Sequence, residues 1–425
     1  MGRISKQQLR YLDLFAGAGG LSEGFIREGF VPVAHIEMNE AACNTLKTRA
    51  SFHYLTSHNQ IKLYKKYISG NISRNDFYSK IPKSVLETVI CKEIEKKTIK
   101  ELFSQIDKLL RNKEIDLIIG GPPCQAYSLM GRARDPQRME GDKRNYLFRY
   151  YAEFLRKYQP KFFVFENVLG LLSAKDSYGN KYFEKMQKCF SKCGYKVQYE
   201  VLSASNYGVL QKRKRIILLG KKTSDEFAFP KLEEWHPNAT VSDLLSDLPA
   251  IHSGEGNMYY CNLKTPYSKW LKDANIRFSN VPVTFHCARP NSDIDLEIYR
   301  LAVIEWNEKH RRLHYNDLPK RLQTHNNKKS FLDRFKVVAD DEPAAQTVVA
   351  HIAKDGHYYI HPKLEQNRSI TPREAARLQT FPDDYYFESV SEKPSRTEAY
   401  KQIGNAVPVL LAQKIAAKLK EVWDE

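Results

Sequence analysis

Cys124 follows Gly120-Gly-Pro-Pro and precedes Gln125. A cysteine held after two prolines, where an apolar run ends, is well placed to act as a nucleophile. A second apolar run, Phe162-Phe-Val-Phe165, delivers Glu166-Asn167-Val168. An acid after four apolar residues sits partly desolvated, which suits it to give or share a proton. The plainer alternative is a salt bridge to an arginine. Gln211-Lys-Arg213-Lys-Arg215 precedes a third run. Strand alternation would send Gln211, Arg213 and Arg215 to one face, where two guanidiniums could hold anionic or electron-rich groups beside the cysteine. Taken alone, such a basic run is ordinary solvated surface.

Asp13-Leu-Phe-Ala-Gly17-Ala-Gly19-Gly20 ends the first apolar run, with Gly24 further on. Glycines there permit a tight turn and close approach to a ligand. Position 22 is Ser, so the pattern departs from G-x-G-x-x-G and argues against a dinucleotide pyrophosphate. Glu37 ends the next run, and an acid so placed accepts hydrogen bonds from ribose hydroxyls. A nucleoside without a phosphate fits both observations, and a plain tight turn is the alternative. Residues 126–145 carry Arg132, Arg134, Arg138 and Arg144. That segment reads as a mobile basic loop able to close over a polyanion.

The elements that must position these groups alternate strand with helix. Strands are expected at 11–15, 31–37, 115–119, 162–165 and 215–219. Helices are expected around Tyr146–Tyr158 and Tyr182–Cys193. Residues 82–112, with Val85, Leu86, Val89, Ile90 and Ile99 at helical spacing, read as one helical stretch inside an insertion at about 51–113. Such alternation implies an α/β fold with a mostly parallel sheet covered on both faces. After about residue 221 the texture turns to Pro, Asn, His and aromatics. Regular pattern returns at Thr371, a plausible N-cap with Pro372 at the first helical position. An amphipathic helix, roughly Pro408 to Trp423, ends the chain, and Asn405 could cap it. The expected division is therefore into residues 1–220, 221–370 and 371–425, the last returning to the first part.

With 425 residues the chain suits two domains, and its formal charge of +17 favours an anionic partner over a merely basic surface. No targeting signal or membrane span is read, so a cytoplasmic protein is expected. Seven scattered cysteines contain no Cys-x-x-Cys pair, so neither a disulfide framework nor a metal site is expected.

Together these segments resemble the DNA cytosine-5 methyltransferases of bacterial restriction–modification systems. The likeness covers nearly the whole chain. DLFAGAGG at 13–20, Glu37, GGPPCQ at 120–125, ENV at 166–168, QKRKR at 211–215, REAARLQTFP at 373–382 and GNAVP at 404–408 occur in the family's order. The resemblance implies a Rossmann-like fold dependent on S-adenosylmethionine, with S-adenosylhomocysteine as product. It also implies methyl transfer to C5 of a cytosine flipped from double-stranded DNA, through a covalent bond between Cys124 and C6.

Under that resemblance Cys124 is the nucleophile and Glu166 engages N3 and the amino group of the base. Arg213 and Arg215 support the base. Phe15 packs on the adenine and Glu37 holds the ribose. Ala16, Gly17, Gly19, Gly20, Met38, Pro123, Leu147, Asn405, Ala406 and Val407 complete the cofactor set. Gln125, Ser128, Arg132, Arg134, Gln211 and Thr347 face DNA, Thr347 holding backbone near the flipped base. The family's acid after the third strand, which binds the adenine amino group, has no evident counterpart; Asn71 in Gly70-Asn-Ile-Ser is the candidate. A monomer associated with the bacterial nucleoid, working beside a restriction endonuclease of the same site, is the implied setting. An RNA cytosine-5 methyltransferase acting on transfer RNA is the alternative, although its Cys-Phe-Thr signature is absent.

Overall fold

The computed structural model describes residues 8–123, 146–261, 263, 266–277, 282–324 and 331–424. Seven strands form one sheet: β1 (Arg10–Leu14), β2 (Val31–Glu37), β3 (Val89–Cys91), β4 (Leu117–Gly120), β5 (Phe162–Asn167), β6 (Tyr195–Ser203) and β7 (Lys214–Lys222). Their spatial order is β3-β2-β1-β4-β5-β7-β6. Ladders from β3 through β5 are parallel, and β7 runs antiparallel to both β5 and β6. Chain direction across the sheet reverses between β1 and β4. Ligands of open α/β sheets bind in the crevice beyond the strand ends at such a switch point. The glycine loop after β1 and the Gly-Gly-Pro-Pro turn after β4 therefore open onto one crevice.

Central strands are apolar because both faces are covered. Leu12, Leu14, Ile118, Phe163 and Phe165 pack under helices Leu147–Tyr158 and Tyr182–Ser191 on one face. Tyr11, Leu117, Ile119, Phe162 and Val164 join the other core, which reaches the chain's end. There helix Gly20–Arg27 lies against helix Val409–Glu421. Gly24 permits the approach, since a Cβ on it would stand 2.5 Å from the Ala412 Cβ.

Within 221–370, Val241, Leu244, Trp270, Phe285 and Tyr359 share that second core. A separate small core gathers Ile298, Tyr299, Leu313, Tyr315 and Phe335 around helix Asp293–Lys309. Helix Pro372–Leu378 starts as the sequence suggests, with Thr371 as N-cap and a capping box closed by Glu374.

Two readings need correction. Residues 82–112 are not one helical stretch, because strand β3 separates helices Lys83–Leu86 and Ile99–Leu110. Val89 and Ile90 fit helical spacing, yet they pair with His35 and Ile36 at the sheet edge. Residues 51–113 therefore supply a sheet strand as well as helices. Asn405 does not cap the last helix. It ends helix Arg396–Asn405, and the first N–H groups of the last helix donate to the Gln379 carbonyl at 3.2 Å and to Thr380 Oγ1 at 2.9 Å.

Candidate active site

β1 delivers Phe15 in the left-handed region, φ 58°, where a bulky residue is strained and stays only if its surroundings hold it. Ala16 N–H donates to the Ile36 carbonyl at 3.1 Å. Gly17 follows at φ +55°, its N–H 2.8 Å from Glu37 Oε2, and no atom lies within 4 Å of where its Cβ would stand. Glu37 Oε1 accepts from Met38 N at 2.9 Å and Asn39 N at 2.8 Å. Burial pushes the Glu37 carboxyl up, and these three N–H donors oppose that shift. Of the three donors only Gly17 N–H reaches Oε2, so that oxygen has capacity to accept a further hydroxyl. The exposed Met38 side chain stands next to it.

Gly19 and Gly20 serve packing rather than an open cradle. A Cβ on Gly20 would stand 2.5 Å from the Val407 carbonyl oxygen and 3.2 Å from the Ala406 Cβ. One on Gly19 would stand 2.9 Å from the Tyr385 hydroxyl. Ala406 and Val407 are buried against the glycine loop, while Asn405 is exposed. Leu147 opens the helix that follows the basic loop and is half-buried.

Across the crevice, Gly120 and Gly121 are sterically required. A Cβ on Gly120 would strike the Leu14 carbonyl, and one on Gly121 would strike the Glu166 carbonyl. The Gly121 Cβ position lies 3.1 Å from Glu166 Oε2, so the turn begins against that carboxylate. Asn167 Nδ2 donates to the Pro122 carbonyl at 3.2 Å, and its Oδ1 accepts from Val168 N at 2.9 Å. This amide gives the asparagine of Glu-Asn-Val a role that the sequence reading left blank. Pro123 is exposed and is the last described residue of the turn. Cys124, Gln125, Ser128, Arg132 and Arg134 lie outside the described residues.

Glu166 and Arg215 form an ion pair, Nε to Oε1 2.6 Å, with side chains 17% and 12% exposed. The arginine bridge raised as the plainer reading of Glu166 is thus present, and it stands at the crevice. Arg213 goes elsewhere. It is fully buried, donating to the Val348 carbonyl at 2.6 Å and the Gly404 carbonyl at 3.2 Å. Strand alternation does not apply to it, because β7 begins only at Lys214.

Gln211, expected at DNA, has no exposed surface. Its amide donates to the Leu378 carbonyl at 2.8 Å and accepts from Val348 N at 2.9 Å, so it ties two segments together. Thr347 remains partly exposed, its hydroxyl donating to the Lys212 carbonyl at 2.5 Å.

Asn71 N–H donates to the Lys66 carbonyl at 3.0 Å. It follows helix Ile61–Ile68, and the neighbouring Gly70 faces the Tyr259 ring. The first acid after the third strand is Glu93, which is exposed. A three-residue strand shows no alternation, so the sequence signal was only the β-branched pair Val89-Ile90 followed by Glu93.

Behind the site, helix Pro372–Leu378 forms a buried charged hub. Arg377 pairs with Asp383 at 2.6 Å and with Asp247 at 2.5 Å. Arg368 pairs with Glu374 at 2.7 Å. Arg373 donates to the carbonyls of Thr284 at 2.9 Å and Tyr385 at 2.7 Å. The hub joins the 221–370 segment to the helix through pairs whose charges are mutually satisfied. Among the described residues no group of three or more potential metal ligands occurs, and no helix is long and apolar enough to cross a membrane.

A family model described as C-5 cytosine-specific DNA methylase matches residues 9–77 and 73–421. A type II methyltransferase of Bacillus paralicheniformis is 40% identical over 458 aligned residues, covering 97% of this chain and 98% of the relative. One from Haemophilus parahaemolyticus is 29% identical, covering 96% and 86% respectively. Among solved structures, a prophage-encoded protein of E. coli described as a DNA modification methyltransferase superposes with a TM-score of 0.64 at 23% identity, covering 98% of this chain and all of that one.

Proposed function

Because this chain belongs to the C-5 cytosine-specific DNA methylase family and is a DNA cytosine-5 methyltransferase, we propose that it methylates one cytosine of a defined duplex word by base flipping and covalent catalysis. The observation that carries this reading is the turn that leads to Cys124. Gly121 and Pro122 are held against Glu166 and Asn167, which sets the turn immediately before Cys124 beside the Glu166–Arg215 pair.

Cytosine C5 is a poor nucleophile. Attack of the Cys124 thiolate on C6 turns the ring into an enamine and makes C5 electron-rich. Glu166 meets N3 and the amino group, and so lowers the barrier to that addition. Arg215 holds Glu166 in place and presents a donor to the base. Bound S-adenosylmethionine supplies the methyl group to C5. Loss of the C5 proton and departure of Cys124 restore the aromatic ring.

The cofactor fits the residues present. Glu37 offers an oxygen to ribose hydroxyls, Gly17 leaves space beside it, and Phe15 and Met38 provide apolar surface for the adenine. Glu93, after the third strand, takes the adenine amino group in place of Asn71. Leu147, Pro123 and Asn405 close the same rim. No metal takes part in these steps.

The target base must leave the stack, at a cost of roughly a few kcal/mol. Arg132 and Arg134 of the basic loop, Thr347 and the 221–370 region offset it through phosphate and base contacts. The protein works as a cytoplasmic monomer, and a restriction endonuclease of the same word is its functional partner.

The test is methyl transfer from radiolabelled S-adenosylmethionine to duplex DNA and to transfer RNA. Transfer to DNA alone is expected, and Cys124→Ser abolishes it while leaving DNA binding nearly intact. Normal turnover by that variant, or a preference for transfer RNA, would overturn the reading.

A further inference from the structure

Two thiols lie at the cofactor end of the sheet and take no part in the reaction. Cys91 is the last residue of β3, and its partner across the ladder is Glu37. Cys43 sits early in helix Glu40–Ser57, and its thiol donates to the Glu37 carbonyl at 3.3 Å. The same oxygen accepts from Lys92 N at 2.8 Å. One carbonyl therefore pins both the Cys43 thiol and the peptide that directly follows Cys91. Cys43 is buried with Leu46 and Val89 against Ala16, whereas Cys91 is exposed. Burial, with Cys91 and Glu37 alongside, pushes the Cys43 thiol up and leaves it the poorer first attacker.

We propose that Cys43 and Cys91 are a redox modification site, closing to a disulfide in the presence of a soluble organic disulfide and thereby weakening nucleoside binding on the adjacent rim. The exposed Cys91 thiolate attacks one sulfur of the reagent and releases one thiol. Cys43 then gives its proton to solvent and displaces the second thiol. The pair loses two electrons and two protons, and the reagent is reduced to two thiols.

A disulfide needs sulfurs about 2.05 Å apart, closer than any thiol contact. Closure therefore draws the end of β3 toward the helix. It removes the Cys43 hydrogen bond from the Glu37 peptide and shifts Lys92-Glu93. The effect on binding rests on the reading of Glu37 and Glu93 as the nucleoside acids.

The experiment uses the full chain carrying Cys124→Ser, so that the proposed nucleophile does not react. S-adenosylhomocysteine is titrated calorimetrically before and after oxidised glutathione, and the oxidised protein is peptide-mapped. The expected result is a Cys43–Cys91 cross-link, an affinity about tenfold lower, and recovery with dithiothreitol. Cys91→Ser in the same background binds as the reduced protein does and ignores the oxidant. Absence of that cross-link, or a complete cross-link with unchanged affinity, overturns the proposal. Failure of the reduced protein to bind S-adenosylhomocysteine sinks the nucleoside reading and with it the affinity effect, while the peptide map still decides the disulfide.

Discussion

Arg213 and Arg215 are two residues apart, and their guanidiniums end in different environments. Arg215 meets a carboxylate at the crevice, while Arg213 satisfies two backbone carbonyls in the interior. Their losses should therefore separate. Arg215→Ala strips Glu166 of its partner without opening the core. It is expected to slow methyl transfer about a hundredfold and to leave the melting temperature nearly unchanged. Arg213→Ala leaves the Val348 and Gly404 carbonyls buried and short of a donor. It should cost about 2–3 kcal/mol of stability, seen as a lower denaturation midpoint. A stable but inactive Arg213→Ala protein would move that residue into the chemistry. The sequence showed both arginines but not their division, since where β7 starts is decided by pairing with β5 and β6 and not by the run of basic residues.

At the scale of elements, β1, β2, β4, β5 and β7 were legible because each holds a mostly apolar run, whereas the nine-residue β6 was not read as a strand, since Lys196, Gln198 and Glu200 interrupt it and much of it is exposed. β2 lies where the sequence placed it, from Val31 to Glu37. β3 was not legible, because three residues carry no period and their neighbours fit a helix. That miss hid Glu93, the acid we propose for the adenine amino group, and left Asn71 as the candidate. The glycines were legible as a group but not in their separate duties. Gly17 borders open space, whereas Gly20 and Gly24 admit the C-terminal segment. A contact between residues so distant in sequence has no local signature. Gly24→Ala is consequently expected to destabilise the protein by about 1–3 kcal/mol through overpacking, measured by chemical denaturation. Gly17→Ala meets no neighbour and is strained only by its positive φ, so it should mainly weaken S-adenosylmethionine binding. Equal denaturation midpoints for the two variants would contradict this division.

For the whole molecule, two properties depend on charge. The surplus of +17 predicts DNA binding that weakens as salt rises, and an affinity independent of salt would count against phosphate contacts. The second is acid stability, governed by the buried hub. His361 is pushed down to about 3, chiefly by burial and then by Arg368. Its Nδ1 accepts from Lys363 N at 3.2 Å, so the neutral ring carries its proton on Nε2, 3.6 Å from Glu374 Oε1. A second proton would have to displace the Lys363 N–H. Glu374 weighs on the other side, and His286 and Lys363 add positive charge. Between pH of about 6.5 and 3 the unfolded chain binds this proton and the native protein does not. Stability is thus fully present above pH of about 6.5 and falls with acidification, by up to about 1.4 kcal/mol per pH unit for this group. His286, also pushed down by burial, and Glu374, held down by Arg368, lose stability in the same direction. Because the hub ties the 221–370 segment to helix Pro372–Leu378, acid should release that segment first. Thermal melts should be level from pH 8 to about 6.5 and fall from there to pH 5, with DNA binding lost before cofactor binding. His361→Gln, which keeps an acceptor for Lys363 and removes the titration, should flatten the slope, and an unchanged slope in that variant would place the acid sensitivity elsewhere.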